Sequence, residues 1–466
     1  MIWKGTGTMN TMFLFKRMGT VQALLAVLAF LFVAPPVLSQ QDGNIAEQAA
    51  LVTEFEVNGL KVLVKNRPSS STVAAGLFIK GGARNVTEES AGIENLMLET
   101  AVEGSANFPR EVLRKRLANT GTEIGSGINS DYSVLSLAST KEHFQESWRI
   151  FADIAMNPKF DPADLARVKE RILTGLREAE TDNDGFLEVL QERIVYKGHP
   201  YSVDVRGTLQ TIPRFEVKDV RGFHGQVMQT SRLLLVVVGD VNAEEFRGWV
   251  ARSLGNLPEG KYEPVKVPEI SITKPALDVT RRQLPTNYVQ GVFNAPGLGH
   301  ADYYPMKIAI ALLQARVFQE VRVERQLSYA PNAELNSNAA NTGFIYVTTV
   351  DPNEAVSVML GEMENLKTRA ENPRLLSSIS GHFLTLHYID QETNGAQARE
   401  MAKYELIGGG WRNAFGFLEK VKAVTPAQVQ TVARKYFKNL HFIVIGDPAI
   451  IDQEVFLGSS GTDAGN

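Results

Sequence analysis

Apolar and polar positions fall into two long stretches that run through the same order of elements. In the first, Val52 to Val64 alternates around Asn58-Gly59, which predicts a hairpin closed by a tight turn. Ala74 to Ile79 reads as an apolar strand stopped by Gly81-Gly82. Between Ala91 and Glu103 the apolar residues Ile93, Leu96, Met97 and Ala101 recur at helical spacing. A second helix, Arg110 to Asn119, ends at Thr120-Gly121, and strands follow around Thr122 to Gly127 and Tyr132 to Ala138. Helices then span His143 to Met156 and Pro162 to Glu180, and the stretch closes on the apolar run Leu233 to Val238 before Gly239-Asp240.

The second stretch repeats this order. It predicts a strand at Val289 to Asn294, a helix at Tyr304 to Val323, and strands near Tyr329 to Asn336 and Gly343 to Val350. Helices at Asn353 to Arg369 and Pro373 to Ile389 follow, and the closing strand Phe442 to Ile445 again ends in Gly-Asp, at Gly446-Asp447. The two Gly-Asp endings lie 207 residues apart, which is nearly a domain length. We read this as an internal duplication: an α+β chain of two homologous lobes, each a mostly antiparallel sheet flanked by helices. Clustered prolines (Pro258, Pro264, Pro268, Pro275) place a linker at 256–280, between lobes at 41–255 and 281–460.

Ahead of the first lobe, Lys16-Arg17 precede an apolar run from Val21 to Val33 and a small-residue exit ending at Ser39-Gln40. This pattern predicts a secretory signal over residues 1–40, too short for a membrane span, so the mature chain is expected to be exported without a stable membrane anchor. No cysteine is present, which excludes disulfides, thiolate metal sites and a cysteine nucleophile. Export without disulfides fits a Gram-negative periplasm. A net charge of -4, with no basic run, gives no sign of a nucleic-acid partner.

The helix Gly92-Ile93-Glu94-Asn95-Leu96-Met97-Leu98-Glu99-Thr100-Ala101-Val102-Glu103-Gly104 resembles the zinc-binding helix of the insulinase/pitrilysin family, whose motif is H-x-x-E-H. Gly92, the apolar residue at 93 and Gly104 keep the frame. Asn95 stands where the first His belongs, Leu98 where the catalytic Glu belongs, and Glu99 where the second His belongs. Positions i, i+3 and i+4 share a helix face, so two imidazoles clamp zinc while the carboxylate between them activates water. An amide, an isobutyl group and one carboxylate cannot do this. The resemblance implies a third ligand, a downstream Glu, but the matching window Arg171 to Arg177 holds no carboxylate, with Glu170 and Glu178 only flanking it. Of the seven histidines, only His382 and His387 are close in sequence, and their spacing does not share a face. The resemblance extends through Gly198-His199-Pro200-Tyr201, Gly207-Thr208 and Val236 to Asp240.

In the second lobe, Phe318 to Tyr329 resembles the family's F-x-x-L-R-x-x-x-x-L-x-Y segment, in which an Arg and a Tyr reach across to the active site. Here they are Arg322 and Tyr329. The resemblance implies the non-zinc subunit of a two-chain metallopeptidase: a homologous partner bearing H-x-x-E-H supplies the zinc, this chain binds none, and Arg322 and Tyr329 grip the peptide substrate's carbonyl. The alternative is a non-catalytic scaffold or peptide-binding protein of the same fold. A self-contained metallopeptidase is disfavoured, since catalytic zinc takes three protein ligands.

Overall fold

The computed structural model describes residues 45–458, so the predicted signal lies outside the described residues. A short helix α1 (Ile45–Ala50) leads into the hairpin β1 (Val52–Val57) and β2 (Leu60–Asn66), whose turn residues Asn58 and Gly59 both take positive φ. The first lobe continues with β3 (Thr72–Lys80), α2 (Ile93–Ala101), α3 (Arg110–Thr120), β4 (Glu123–Ile128), β5 (Tyr132–Thr140), α4 (Phe144–Met156), α5 (Pro162–Thr181), α6 (Asn183–Leu190), α7 (Val217–Val227), β6 (Leu233–Gly239) and α8 (Ala243–Leu254). The second lobe comprises β7 (Ala276–Arg281), β8 (Asn287–Ala295), α9 (Tyr303–Val317), β9 (Asn332–Leu335), β10 (Asn341–Thr349), α10 (Pro352–Thr368), α11 (Pro373–Asp390), α12 (Asn394–Ile407), α13 (Phe417–Lys422), α14 (Pro426–Tyr436), β11 (His441–Gly446) and α15 (Gln453–Leu457). Several helices start where a capping side chain precedes a proline. Asp161-Pro162, Asp351-Pro352, Asn372-Pro373 and Thr425-Pro426 each place the cap acceptor on a backbone N–H and the proline at the first helical position.

The sheets show the duplication directly. The first has the strand order β1-β2-β6-β3-β5-β4, the second β7-β11-β8-β10-β9. Removing the extra edge strand β1 leaves one order written twice, with β7 in the place of β2. Both sheets are antiparallel except for one parallel pair each, β2 with β6 and β7 with β11. β7 corrects the sequence reading, because it begins inside the segment expected to be linker. Its residues are only half-buried, so it carries no strong alternation to read.

Each sheet is buried on both faces, and the second cover comes from the opposite lobe. In the first sheet, Leu233, Leu235 and Val237 of β6 pack with α2, α4 and α7 residues of their own lobe. Leu234, Val236 and Val238 face the other way, with Leu63 and Phe78, against Ala398, Met401 and Ala402 of α12 and against Trp411. The exchange is reciprocal: Leu187 and Leu190 of α6 cover Tyr346, Ile443 and Ile445 of the second sheet. Burial on both faces explains why β6 and β11 read as continuous apolar runs rather than alternating ones.

Polar contacts fasten the same seam. Tyr201 donates to Asp131 at 2.5 Å, and the other oxygen of Asp131 accepts from the Ala339 amide at 3.0 Å. The Tyr196 and Thr342 hydroxyls share a hydrogen bond of 2.7 Å, and Tyr346 donates to Asp184 at 2.5 Å.

Candidate functional site

α2 is seated by its backbone entrance. Gly92, at φ 85°, faces Gly207, at φ 103°, so closely that a Cβ on Gly92 would sit 2.4 Å from the Gly207 Cα. Both positions combine a left-handed backbone with no room for a side chain, which demands glycine. Asn95 donates from Nδ2 to the Arg206 carbonyl at 3.1 Å, tying the helix to the same loop. The glycine frame of the motif therefore has a packing role that is independent of metal chemistry.

The three positions of the zinc motif point to two different environments. Leu98 is 3% exposed and belongs to the first lobe's core. Asn95 and Glu99 share the outer face at helical i, i+4 spacing. Glu99 accepts from Arg171 on α5 at 2.6 Å and from the Ser126 hydroxyl on β4 at 3.4 Å. Arg171 also reaches Glu103 at 3.1 Å, Glu103 pairs with Arg110 and Arg114, and Arg110 continues to Asp164 at 2.8 Å. Burial would lower the Arg171 pKa, but the carboxylates of Glu99 and Glu103 outweigh it and hold the guanidinium above its ordinary value. The sequence window expected to lack a third ligand thus supplies a cation, and that cation neutralises the one carboxylate left. A guanidinium is a donor at every nitrogen and cannot ligate zinc.

The residues present do not fit zinc. Among the described residues no three of His, Cys, Asp and Glu are grouped to hold a metal ion. Four of the seven histidines are held elsewhere: His224 pairs with the Ala155 carbonyl, His199 with that of Pro268, His441 with Asp278, and His387 stacks on Phe417.

Arg322 and Tyr329 are brought together in the second lobe. The predicted helix Tyr304 to Val323 is α-helical only to Val317. Phe318–Glu324 widens into a π-helix, closed by Arg325 N–H to Glu320 and Leu327 N–H to Val321. Gln326 then takes a φ of 54°, and the strand expected from Tyr329 starts only at Asn332, so Tyr329 lies in the turn before β9. Val317 and Val321 are fully buried and anchor the segment, while Tyr329 is 78% exposed. The Arg322 guanidinium carbon lies 4.1 Å from the Tyr329 ring centroid and 5.0 Å from that of Phe318. Neither Arg322 nor the Tyr329 hydroxyl makes a hydrogen bond or ion pair among the described residues. Two donors are thereby presented on one surface with their hydrogen-bonding capacity unused.

Sequence reasoning did not anticipate a cavity of about 130 Å³ on the seam between the lobes, lined by Glu188, Glu192, Tyr196, Tyr201, Glu334 and Tyr346 among others. Burial raises the Glu188 and Glu334 carboxyls. Burial, followed by the neighbouring Asp204 charge, pushes Glu192 up to about 8. Tyr201 of the Gly198-His199-Pro200-Tyr201 segment forms one wall, but the other walls come from elements far apart in the chain, so no sequence spacing marks the cavity.

Comparison with known proteins matches this geometry to one family. Residues 61–209 match the family model described as Insulinase (Peptidase family M16), and residues 214–371 match the one described as Peptidase M16 inactive domain; together these span more than half of the chain. The chain is 20% identical to the uncharacterized zinc protease YmxG of Bacillus subtilis, over 84% of this chain and 97% of that protein. It superposes with a TM-score of 0.75 on a peptidase M16 inactive domain from Pseudomonas fluorescens, at 18% identity, over 85% of this chain and 98% of that one. The periplasmic protease PqqL of Escherichia coli gives a TM-score of 0.71 at 13% identity, over 86% of this chain but 48% of PqqL. With two copies of one strand order, a retained glycine frame and both family models matched in sequence, the chain belongs to the insulinase family of M16 peptidases.

Proposed function

We propose that this chain is the non-zinc, substrate-binding subunit of an exported two-subunit metallopeptidase that acts on peptides. The observation that carries this reading is one-sided. The zinc helix is neutralised by the Glu99–Arg171 pair, while in the other lobe a half-buried Arg322 and an exposed Tyr329 stand without hydrogen-bond partners among the described residues. A guanidinium and a phenol both donate hydrogen bonds and suit a peptide carbonyl, whose oxygen gains negative charge as it is attacked. β9, an edge strand that starts shortly after Tyr329, has no neighbouring strand on its outer side, and an extended peptide adding there would take the Ala333 N–H from the Gln314 side chain that now holds it. The partner, a homologue with an intact H-x-x-E-H helix, supplies the zinc and the general base. A unit of this size spans about half of PqqL, which fits an arrangement in which two such units face each other. The leader pattern at 1–40 supports export, and no described helix is long and apolar enough to cross a membrane.

The test is to co-purify the mature chain with an exported H-x-x-E-H homologue from the same organism and measure cleavage of an unfolded peptide. Arg322→Ala should lower kcat/KM by about a hundredfold, the scale of losing one oxyanion donor, and Tyr329→Phe should lower it as well. A homologue that cleaves equally well alone, or a complex indifferent to Arg322→Ala, overturns the proposal in favour of a scaffold.

A further inference from the structure

We infer that Phe318 is the positioning residue for Arg322, holding the guanidinium plane by its ring face so that the donors point outward before substrate arrives. The inference rests on the reading of Arg322 as a substrate-binding group. Arg322 has no hydrogen bond or ion pair among the described residues to fix its orientation, and its two close neighbours of fixed shape are aromatic rings. The rings differ in kind. Tyr329 is 78% exposed and is itself a proposed substrate contact, so it is free to leave the stack when its hydroxyl engages a carbonyl. Phe318 follows directly on the fully buried Val317 and precedes the buried Val321, so its Cα is set by core packing.

The backbone shapes the stack. An α-helix puts residues four apart about one turn along the same face. The π-helical widening over Phe318–Glu324 adds a residue to that turn and alters the projection of 322 relative to 318. Such widened turns, and non-glycine residues at positive φ such as Gln326, are found preferentially at functional sites. A guanidinium over a benzene ring is attracted by the ring's quadrupole, an attraction that an aliphatic side chain of similar size does not supply. Phe318 is also 37% exposed, a position where a large apolar ring adds little to the core and where its contact with Arg322 is a specific use.

The experiment compares the wild-type mature chain with Phe318→Leu, Phe318→Trp and Arg322→Ala, alone and with Phe318→Leu combined with Arg322→Ala. Two readouts are taken: ¹⁵N relaxation of the Arg322 Nε–H, assigned by its loss in Arg322→Lys, and binding of a fluorescein-labelled unfolded casein peptide followed by anisotropy. Phe318→Leu should make the Arg322 Nε–H markedly more mobile and weaken the peptide by about fivefold, with Phe318→Trp restoring both. Phe318→Leu should add nothing once Arg322 is alanine. An Arg322 Nε–H equally ordered in the Phe318→Leu chain overturns the inference whatever the peptide does, as does a Phe318→Leu effect that persists without Arg322. If Arg322→Ala binds peptide as tightly as wild type, the proposed function fails instead, and the relaxation data separate that result from failure of the positioning role.

Discussion

Met401 belongs by sequence to the second lobe, but it is 1% exposed against Leu63, Phe78, Leu234 and Val236 of the first sheet. Met401→Ala removes most of a side chain from a surface that cannot close around the gap, since its other wall is a strand ladder. Truncations of this kind cost about 2–5 kcal/mol. The wider face that α12 covers holds six apolar side chains of the first sheet. At roughly 1.5–3 kcal/mol for each fully buried side chain, uncovering it forfeits on the order of 10 kcal/mol, comparable with the whole stability of a domain. The loss therefore spreads across the seam. In urea the midpoint should fall by about 1 M, and amides of β3 and β6 should lose hydrogen-exchange protection together with those of α12. If α12 loosens while β3 and β6 stay fully protected, the lobes are independent and the reasoning is wrong.

Glu192 makes stability depend on pH. Its folded pKa of about 8 exceeds the ordinary 4.5, so the folded state holds a proton that the unfolded state has released; this stability is complete below about 4.5 and is lost as pH rises through about 8. Glu192→Gln should flatten that slope in melts taken across the window, and an unchanged slope would assign it to other groups. Gly59→Ala should destabilise by about 1–2 kcal/mol, because φ is +77° and the new Cβ would lie 3.1 Å from the Thr230 hydroxyl; a neutral melt would mean that the hairpin turn relaxes freely. The purified, dialysed protein should carry substoichiometric zinc by plasma mass spectrometry, whereas a stoichiometric, tightly held ion would restore the self-contained peptidase.

The duplication was legible because strand endings and glycine stops are local signals, repeated at Gly239-Asp240 and Gly446-Asp447. β7 was not, because a half-buried edge strand among prolines has no alternation to detect. α12 escaped for a related reason: it packs against its own lobe and against the sheet of the other, so its apolar residues spread around the axis instead of forming one stripe. α6 spans only eight residues, too few to establish a helical period. At the metal helix, the missing imidazoles were plain at Asn95, Leu98 and Glu99. What had replaced them was not, since no sequence rule pairs Glu99 with Arg171 across two helices. The Arg322/Tyr329 pair was expected from the family resemblance, but the π-helix that sets its geometry left no trace, as Leu313, Val317 and Val321 keep an α-like interval of four.

The contact between Gly92 and Gly207 makes shape and chemistry separable in this lobe. Because the entrance of α2 is set by two backbones meeting without side chains, the start of the helix is fixed apart from whatever stands at positions 95, 98 and 99. A chain built this way can shed catalysis in a few substitutions and still present the same wall to a neighbouring molecule. The same independence runs in reverse: the scaffold stands ready to receive ligands again, and the obstacle is local, a guanidinium at position 171 and a core leucine at 98 rather than a collapsed helix.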